Sequence, residues 1–385
     1  MEHLINPRVR DIQISGIRKF FNLVQQYDDA ISLTIGQPDF ATPGHIKEAG
    51  KRAIDQNWTT YTPNAGLPEL REAAAAFVWK KYGLRYDPVT EIIVTNGASE
   101  AIDIALRTVL TEGSEVILPG PVYPGYEPII RLCGATPVYV DTRETDFKVT
   151  TTLLSEKINK NTRCVILPYP SNPTGCTLEQ DEIEKIAALL EDKEVFVISD
   201  EIYSELIYEK KHRSIASLSS MREKTIVING LSKSHSMTGW RIGFTFAPAY
   251  ITSQMVKVHQ YNVTCASAIS QYAALEALTE GINDAEIMRA EYDKRRTYVY
   301  DRLTEMGLDV VKPNGAFYIF PRIGHFGLSS FTFASRLLEE QRVAVVPGDA
   351  FSAYGEGYIR ISYAYAMEVL EEGLNRLEAF ITSLK

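Results

Sequence analysis

The sequence predicts an α/β fold: a large domain on a mainly parallel central sheet flanked by helices, joined to a smaller α+β domain. Three observations carry this. Short apolar runs alternate with helical patterns over residues 45–285. Several of those runs are rich in Val and Ile with little polar alternation, which is how strands buried on both faces of a parallel sheet read. The chain also has 385 residues, more than the roughly 250–300 at which a single core stops growing.

The predicted strands of the large sheet are Ile92–Thr95, Glu115–Leu118, Pro137–Asp141, Cys164–Pro168, Val195–Ser199, Thr225–Asn229 and Ile242–Ala247. Between them, Ser99–Leu110 reads as a helix capped by Ser99-Glu100. Leu178–Leu190 opens in acidic residues, which suits the positive end of a helix dipole. A long charged helical pattern, Asp284–Met306, follows the large domain. Next come extended runs at Leu308–Val311, Ala316–Phe320, Val343–Val346 and Tyr358–Ser362, a helix near Phe331–Glu340, and a final helix. The first forty residues have no obvious place in the large sheet. The expected division is therefore 45–285 for the large domain, and 1–44 with 286–385 for the small one.

Composition narrows the function. Apolar residues make up 45% and the formal net charge is −9, which argues against a nucleic-acid partner needing a basic face. No run approaches the ~18 apolar residues of a membrane span, and no apolar segment follows the charged first residues as in a signal peptide. Four widely spaced cysteines, Cys133, Cys164, Cys176 and Cys265, suit a reducing cytoplasm better than disulfides or a metal site.

Four segments stand out: Tyr169-Pro170-Ser171-Asn172-Pro173-Thr174-Gly175, Ser199-Asp200-Glu201-Ile202-Tyr203, Leu231-Ser232-Lys233-Ser234-His235 and Thr238-Gly239-Trp240-Arg241-Ile242-Gly243. Each follows or enters a predicted strand, and open α/β sheets bind ligands beyond the carboxyl ends of their strands. Asn172, Asp200 and Lys233 can therefore converge. A lysine buried at a strand end has a lowered pKa and can attack an aldehyde; taken alone, Lys233 also reads as a solvated surface residue. Asp200 ends an apolar run and needs a partner, such as a protonated ring nitrogen, although a helix cap or an ion pair would serve. Asn172 also suits a turn, and Tyr203 a core. Arg241 can grip a phosphate through its planar fork. Asn96-Gly97-Ala98-Ser99, between a strand and a helix, can add backbone N–H groups to the same phosphate site. No phosphate-binding nucleotide motif is present.

Together with Gly36-Gln37-Pro38-Asp39, Tyr61-Thr62-Pro63-Asn64-Ala65-Gly66, Gly315-Ala316-Phe317-Tyr318 and Arg360-Ile361-Ser362, these segments resemble the class I/II aminotransferases. Those enzymes belong to fold-type I of the pyridoxal-5′-phosphate (PLP) enzymes, and the resemblance covers nearly the whole chain. Within the family, the chain is similar to bacterial aminotransferases proposed to act on N-acetyl-L,L-diaminopimelate in lysine biosynthesis.

The resemblance implies a cytoplasmic homodimer that moves an amino group from an amino acid to a 2-oxo acid such as 2-oxoglutarate by a ping-pong mechanism. It implies that Lys233 holds PLP as a Schiff base and then moves protons. Asp200 would pair with the ring nitrogen, and Asn172 and Tyr203 with the ring's phenolic oxygen. Tyr123 would stack on the ring. Ala98, Ser99, Ser232 and Arg241 would bind the phosphate, with Tyr61 reaching over from the neighbouring subunit. Arg360 would grip the substrate carboxylate, with Gly36 and Asn172 beside it. Two positions depart from many relatives. Gly230 stands where they carry Ser or Thr, and Ser99 where some aspartate-preferring relatives carry Lys, which speaks against a strict aspartate preference. A C–S lyase on the same fold and a PLP-binding sensor are the competing readings; amino transfer to 2-oxoglutarate separates the first.

Overall fold

The structure, a computed structural model, describes residues 1–384, apart from the side chain of Lys19. Its strands are β1 (Ile31–Ser32), β2 (Ile92–Thr95), β3 (Glu115–Gly120), β4 (Thr136–Asp141), β5 (Thr162–Leu167), β6 (Phe196–Asp200), β7 (Thr225–Gly230), β8 (Gly243–Phe246), β9 (Tyr318–Ile319), β10 (Val343–Ala344), β11 (Val346–Pro347) and β12 (Ile359–Ser362). Seven of them form one sheet in the order β2-β8-β7-β6-β5-β3-β4. Only β8 runs against its neighbours. The carboxyl ends of the other six and the start of β8 thus share one edge. Thr95, Gly243 and Gly230 lie side by side there.

The weak polar alternation of these strands has its cause in burial on both faces. Along β5, Cys164 and Ile166 pack into a core that includes Ile104 and Met255, from helices Ala98–Val109 and Ala249–Val263. Val165 and Leu167 enter the opposite core, with Ile186 and Leu190 from helix Gln180–Leu190. A third core joins Val94, Val227 and Phe244 to helices Pro68–Tyr82 and Ala268–Thr279.

A separate core gathers Phe20, Val24 and Leu33 with Tyr292 and Val299 of helix Ala285–Glu305, Phe333 of helix Ser330–Gln341, and Leu374 of helix Met367–Ser383. It also takes in Tyr203, Leu206 and Tyr208, which tie it to the carboxyl edge of the large sheet. The N-terminal segment joins through β1, which pairs in parallel with β10.

Several local expectations are corrected. Leu308–Val311 forms no strand: Asp309 accepts one backbone bond from Arg322, and no strand ladder lies alongside. Val343–Val346 divides into β10 and β11 because the first pairs with β1 and the second with β12. Ala316–Phe320 shortens to β9, since Ala316 adopts a left-handed φ of 57°. The helix expected from Ser99 begins at Ala98 behind Gly97, and Ser99 makes no cap. Helix Gln180–Leu190 starts behind a capping box between Glu179 and Glu182, a reciprocal pairing that satisfies two otherwise open N–H groups.

Candidate active site

A cavity of about 420 Å³ lies against the shared sheet edge. Its lining includes Gly36, Ala98, Ser99, Tyr123, Asn172, Asp200, Tyr203, Ser232, Lys233, Arg241 and Arg360. Sequence positions hundreds of residues apart meet here because strand ends of a parallel sheet all open on one side. Of the residues singled out from the sequence, Tyr61 stays outside; its side chain is 84% exposed.

One end of the cavity is built by β2, β8 and the turn Asn96–Gly97. Gly97 has a φ of 77°, and a Cβ there would stand 2.4 Å from Arg241 Nη2. A Cβ on Gly243 would stand 2.5 Å from the Gly97 carbonyl carbon. The two glycines therefore let the turn, the start of β8 and the guanidinium close on one another. Arg241 Nη1 donates to Thr238 O at 2.9 Å and Nη2 to Asn96 O at 3.3 Å. The N–H groups of Ala98 and Ser99 open helix Ala98–Val109 and meet no acceptor among the described residues. Gly230 also has a spatial reason: a Cβ there would sit 2.9 Å from Ile242 O, so a Ser or Thr would have to push β8 aside.

Asp200 closes β6 deep in the cavity. Tyr126 donates to its Oδ2 at 2.6 Å and the Ile202 N–H to its Oδ1 at 3.2 Å. It forms no ion pair among the described residues, and burial raises its pKa. Neighbouring Glu201 lies on the other side, where Ser199, Ser214 and His212 saturate its carboxylate. Lys233, just past β7, donates from Nζ to Gly36 O. Burial brings its pKa down to about 8; the charges of Arg360 and Arg241 push the same way and Asp200 opposes them.

The facing wall comes from β9, β12 and the segment after β1. Ile359 and Ile361 enter the small core, and Arg360 between them faces the cavity. Arg360 Nη1 donates to Asn172 Oδ1 at 2.9 Å and Nη2 to Thr34 O at 2.6 Å. Its guanidinium lies 4.4 Å over the Tyr318 ring, and its buried Nε has no partner among the described residues. Tyr203 and Tyr318 bridge their hydroxyls at 3.0 Å. Two residues here went unassigned from the sequence. Tyr318 lies inside a segment already quoted. Tyr126 opens the helix Tyr126–Leu132, and its ring packs edge-on against Tyr123 with centroids 5.5 Å apart; no local pattern in the sequence marked it.

The groups left open match what PLP carries. Free N–H groups beside a guanidinium suit a phosphate. A buried carboxylate without a cation suits a protonated pyridine nitrogen. A lysine of lowered pKa suits an aldehyde.

Comparison with known proteins agrees. The family model described as aminotransferase class I and II matches residues 28–377. The chain is 63% identical over 381 residues to a Bacillus subtilis (strain 168) protein named "Probable N-acetyl-LL-diaminopimelate aminotransferase", covering 99% of this chain and 96% of the other. It is 47% identical over 386 residues to an aspartate aminotransferase of Pyrococcus abyssi, covering 99% and 97%. The crystal structure of an aromatic aminotransferase from Pyrococcus horikoshii OT3 superposes with a TM-score of 0.90 at 47% identity, covering 94% and 99%. With Arg241 and the open N–H groups of Ala98 and Ser99, the buried Asp200 and the Lys233 amine along one sheet edge, and with relatives matching end to end, the chain belongs to the class I and II aminotransferases and uses pyridoxal phosphate.

Proposed function

We propose that this aminotransferase takes N-acetyl-L,L-diaminopimelate as amino donor and 2-oxoglutarate as acceptor, which places it in lysine biosynthesis in the cytoplasm. The observation that carries the donor is the shape of the site. The cavity shares Ile17, Thr34, Ile35, Gly36 and Tyr123 with a second cavity of about 680 Å³. A donor as short as aspartate leaves that space idle, whereas a long amino acid with a polar distal end can use it. The 63% identical relative carries that donor in its name.

Bound PLP supplies an aldehyde that exchanges amines and a ring that withdraws electrons. The chain supplies the rest. Lys233 would hold the cofactor through its Nζ, and that amine would also take and return the proton of the donor's α-carbon. Asp200 keeps the ring nitrogen protonated, with Tyr126 fixing its rotamer. Asn172 and Tyr203 would hold the ring's phenolic oxygen, and Tyr123 would pack on the ring. Ala98, Ser99, Ser232 and Arg241 hold the phosphate. Arg360 grips the α-carboxylate beside Gly36 and Asn172, which fixes the Cα–H bond for Lys233.

The working unit in this reading is a homodimer. Tyr61, at 84%, and Tyr261, at 87%, present exposed aromatic rings, which supports this reading. Their segments meet where Asn64 Nδ2 donates to Thr264 O at 2.7 Å. In the partner's site Tyr61 serves the phosphate. The large domain spans 45–285, and 1–44 with 286–385 form the small one.

Single-turnover half-reactions with N-acetyl-L,L-diaminopimelate, aspartate, phenylalanine and glutamate test the donor. The first should react fastest per unit concentration; a clear preference for aspartate or phenylalanine would overturn the assignment. Sedimentation of the active enzyme tests assembly, and a fully active monomer contradicts it.

A further inference from the structure

Behind the phosphate end of the cavity lies a buried pair that the reaction does not touch. Glu100 is the third residue of helix Ala98–Val109. Its Oε2 accepts the Asn96 N–H at 2.6 Å, and its Oε1 lies 2.7 Å from His259 Nδ1. His259 comes from helix Ala249–Val263 and is fully buried. Ala98, Ser99 and Ile102 line the cavity, whereas Glu100 and His259 do not. The carboxylate therefore turns its back on the phosphate position.

We infer that His259 and Glu100 are positioning residues for the cofactor phosphate. Four N–H groups at a helix start have no intrahelical partner. Glu100 reaches back past the N-cap Gly97 to the Asn96 N–H. That pins the Asn96–Gly97 turn while Ala98 and Ser99 keep their N–H groups free. The same turn offers Asn96 O to Arg241 Nη2. One carboxylate thus sets the helix start and the guanidinium together.

His259 holds that carboxylate in place. A carboxylate oxygen can only accept, so Nδ1 carries the hydrogen. Nε2 is buried without a partner among the described residues, so it is the bare nitrogen; an unpaired N–H there would cost a desolvated donor. The ring therefore presents Nδ1–H as a donor aimed at Glu100.

This inference rests on the proposed phosphate site, and the test separates the two. Apo-protein variants are titrated with PLP and, separately, with pyridoxal, which lacks the phosphate. His259→Leu should weaken PLP about tenfold to a hundredfold, the range for a hydrogen bond to a charged group, and leave pyridoxal unchanged. His259→Asn, whose side-chain amide can donate from the place of Nδ1, should return PLP affinity to within about threefold of wild type, the remainder being far less than one such bond. The phosphorus-31 resonance of bound PLP should shift in the Leu variant and return in the Asn variant. Unchanged PLP affinity in His259→Leu, equal losses for PLP and pyridoxal, or no recovery in His259→Asn would each overturn the inference. Arg241→Leu tests the underlying site: if that variant keeps wild-type PLP affinity, the phosphate assignment itself fails.

Discussion

The two walls of the cavity are held in different ways. On the sheet-edge wall, the functional groups lean on nearby backbone. Arg241 is tied to Thr238 O and Asn96 O, and Asp200 to the Ile202 N–H. On the facing wall, Arg360 is held by Thr34 O and by the Asn172 side chain, which belongs to the opposite wall. Lys233 reaches across as well, to Gly36 O. Arg241 and Asp200, in our reading the cofactor end, are thus set from the sheet-edge wall, while Arg360, in our reading the donor end, is held only where the two walls meet. Damage to the first should abolish chemistry for every substrate. Damage to the second should spare the cofactor and weaken donors.

The sharpest test is Lys233→Ala. Covalent attachment should vanish, with loss of the borohydride-reducible adduct and of turnover, while the phosphate contacts still retain PLP. A surviving reducible adduct would move the attachment to another lysine. Next in size is Asp200→Asn, which replaces an ion pair to the ring by a weaker bond. Transamination should fall by several orders of magnitude with a modest loss of PLP. Near-wild-type turnover would mean another acid protonates the ring.

A smaller effect is expected across the cavity. Arg360→Lys cannot reproduce the planar fork. It should lower kcat/KM for every amino donor by about 2–4 kcal/mol, the range for truncating a buried charge pair. The cofactor spectrum should not change. A loss confined to acidic donors would reassign Arg360 to side-chain recognition, and a spectral change would break the division between the walls.

The smallest effect is a pH shift that reads the coupling of the walls. The neutral amine is the nucleophile, so uptake of PLP by apo-protein should speed up as pH rises through about 8, the lowered pKa of Lys233. Arg360 helps to hold that pKa down and Asp200 opposes it. Arg360→Leu should therefore move the midpoint up and Asp200→Asn should move it down. Stopped-flow uptake rates against pH measure both, and identical midpoints would show that the walls are electrically independent.

Much of this was legible in the order of residues. The seven strands of the large sheet were placed within two residues, because Val- and Ile-rich runs record burial on both faces. Asp200, Lys233 and Arg241 could be singled out because polar residues at the ends of such runs need a reason to be there. Each of these signals is local: it depends on neighbours within a few residues. The short strands were not legible in that way. Two-residue pairings such as β1 with β10 leave no periodicity, so Val343–Val346 read as one strand and Leu308–Val311 as another. The start of helix Ala98–Val109 was misread because Ser99 makes no cap and Glu100 bonds backward to Asn96 and across to His259, 159 residues away. What the sequence determined by itself was the fold class, the sheet and the family. What tertiary structure alone decided was which groups remain without partners: the free N–H groups of Ala98 and Ser99, the cation-free Asp200, and the half-satisfied Arg360. Satisfaction is a property of the whole packed chain, because a donor is open only when every neighbour in space has declined it.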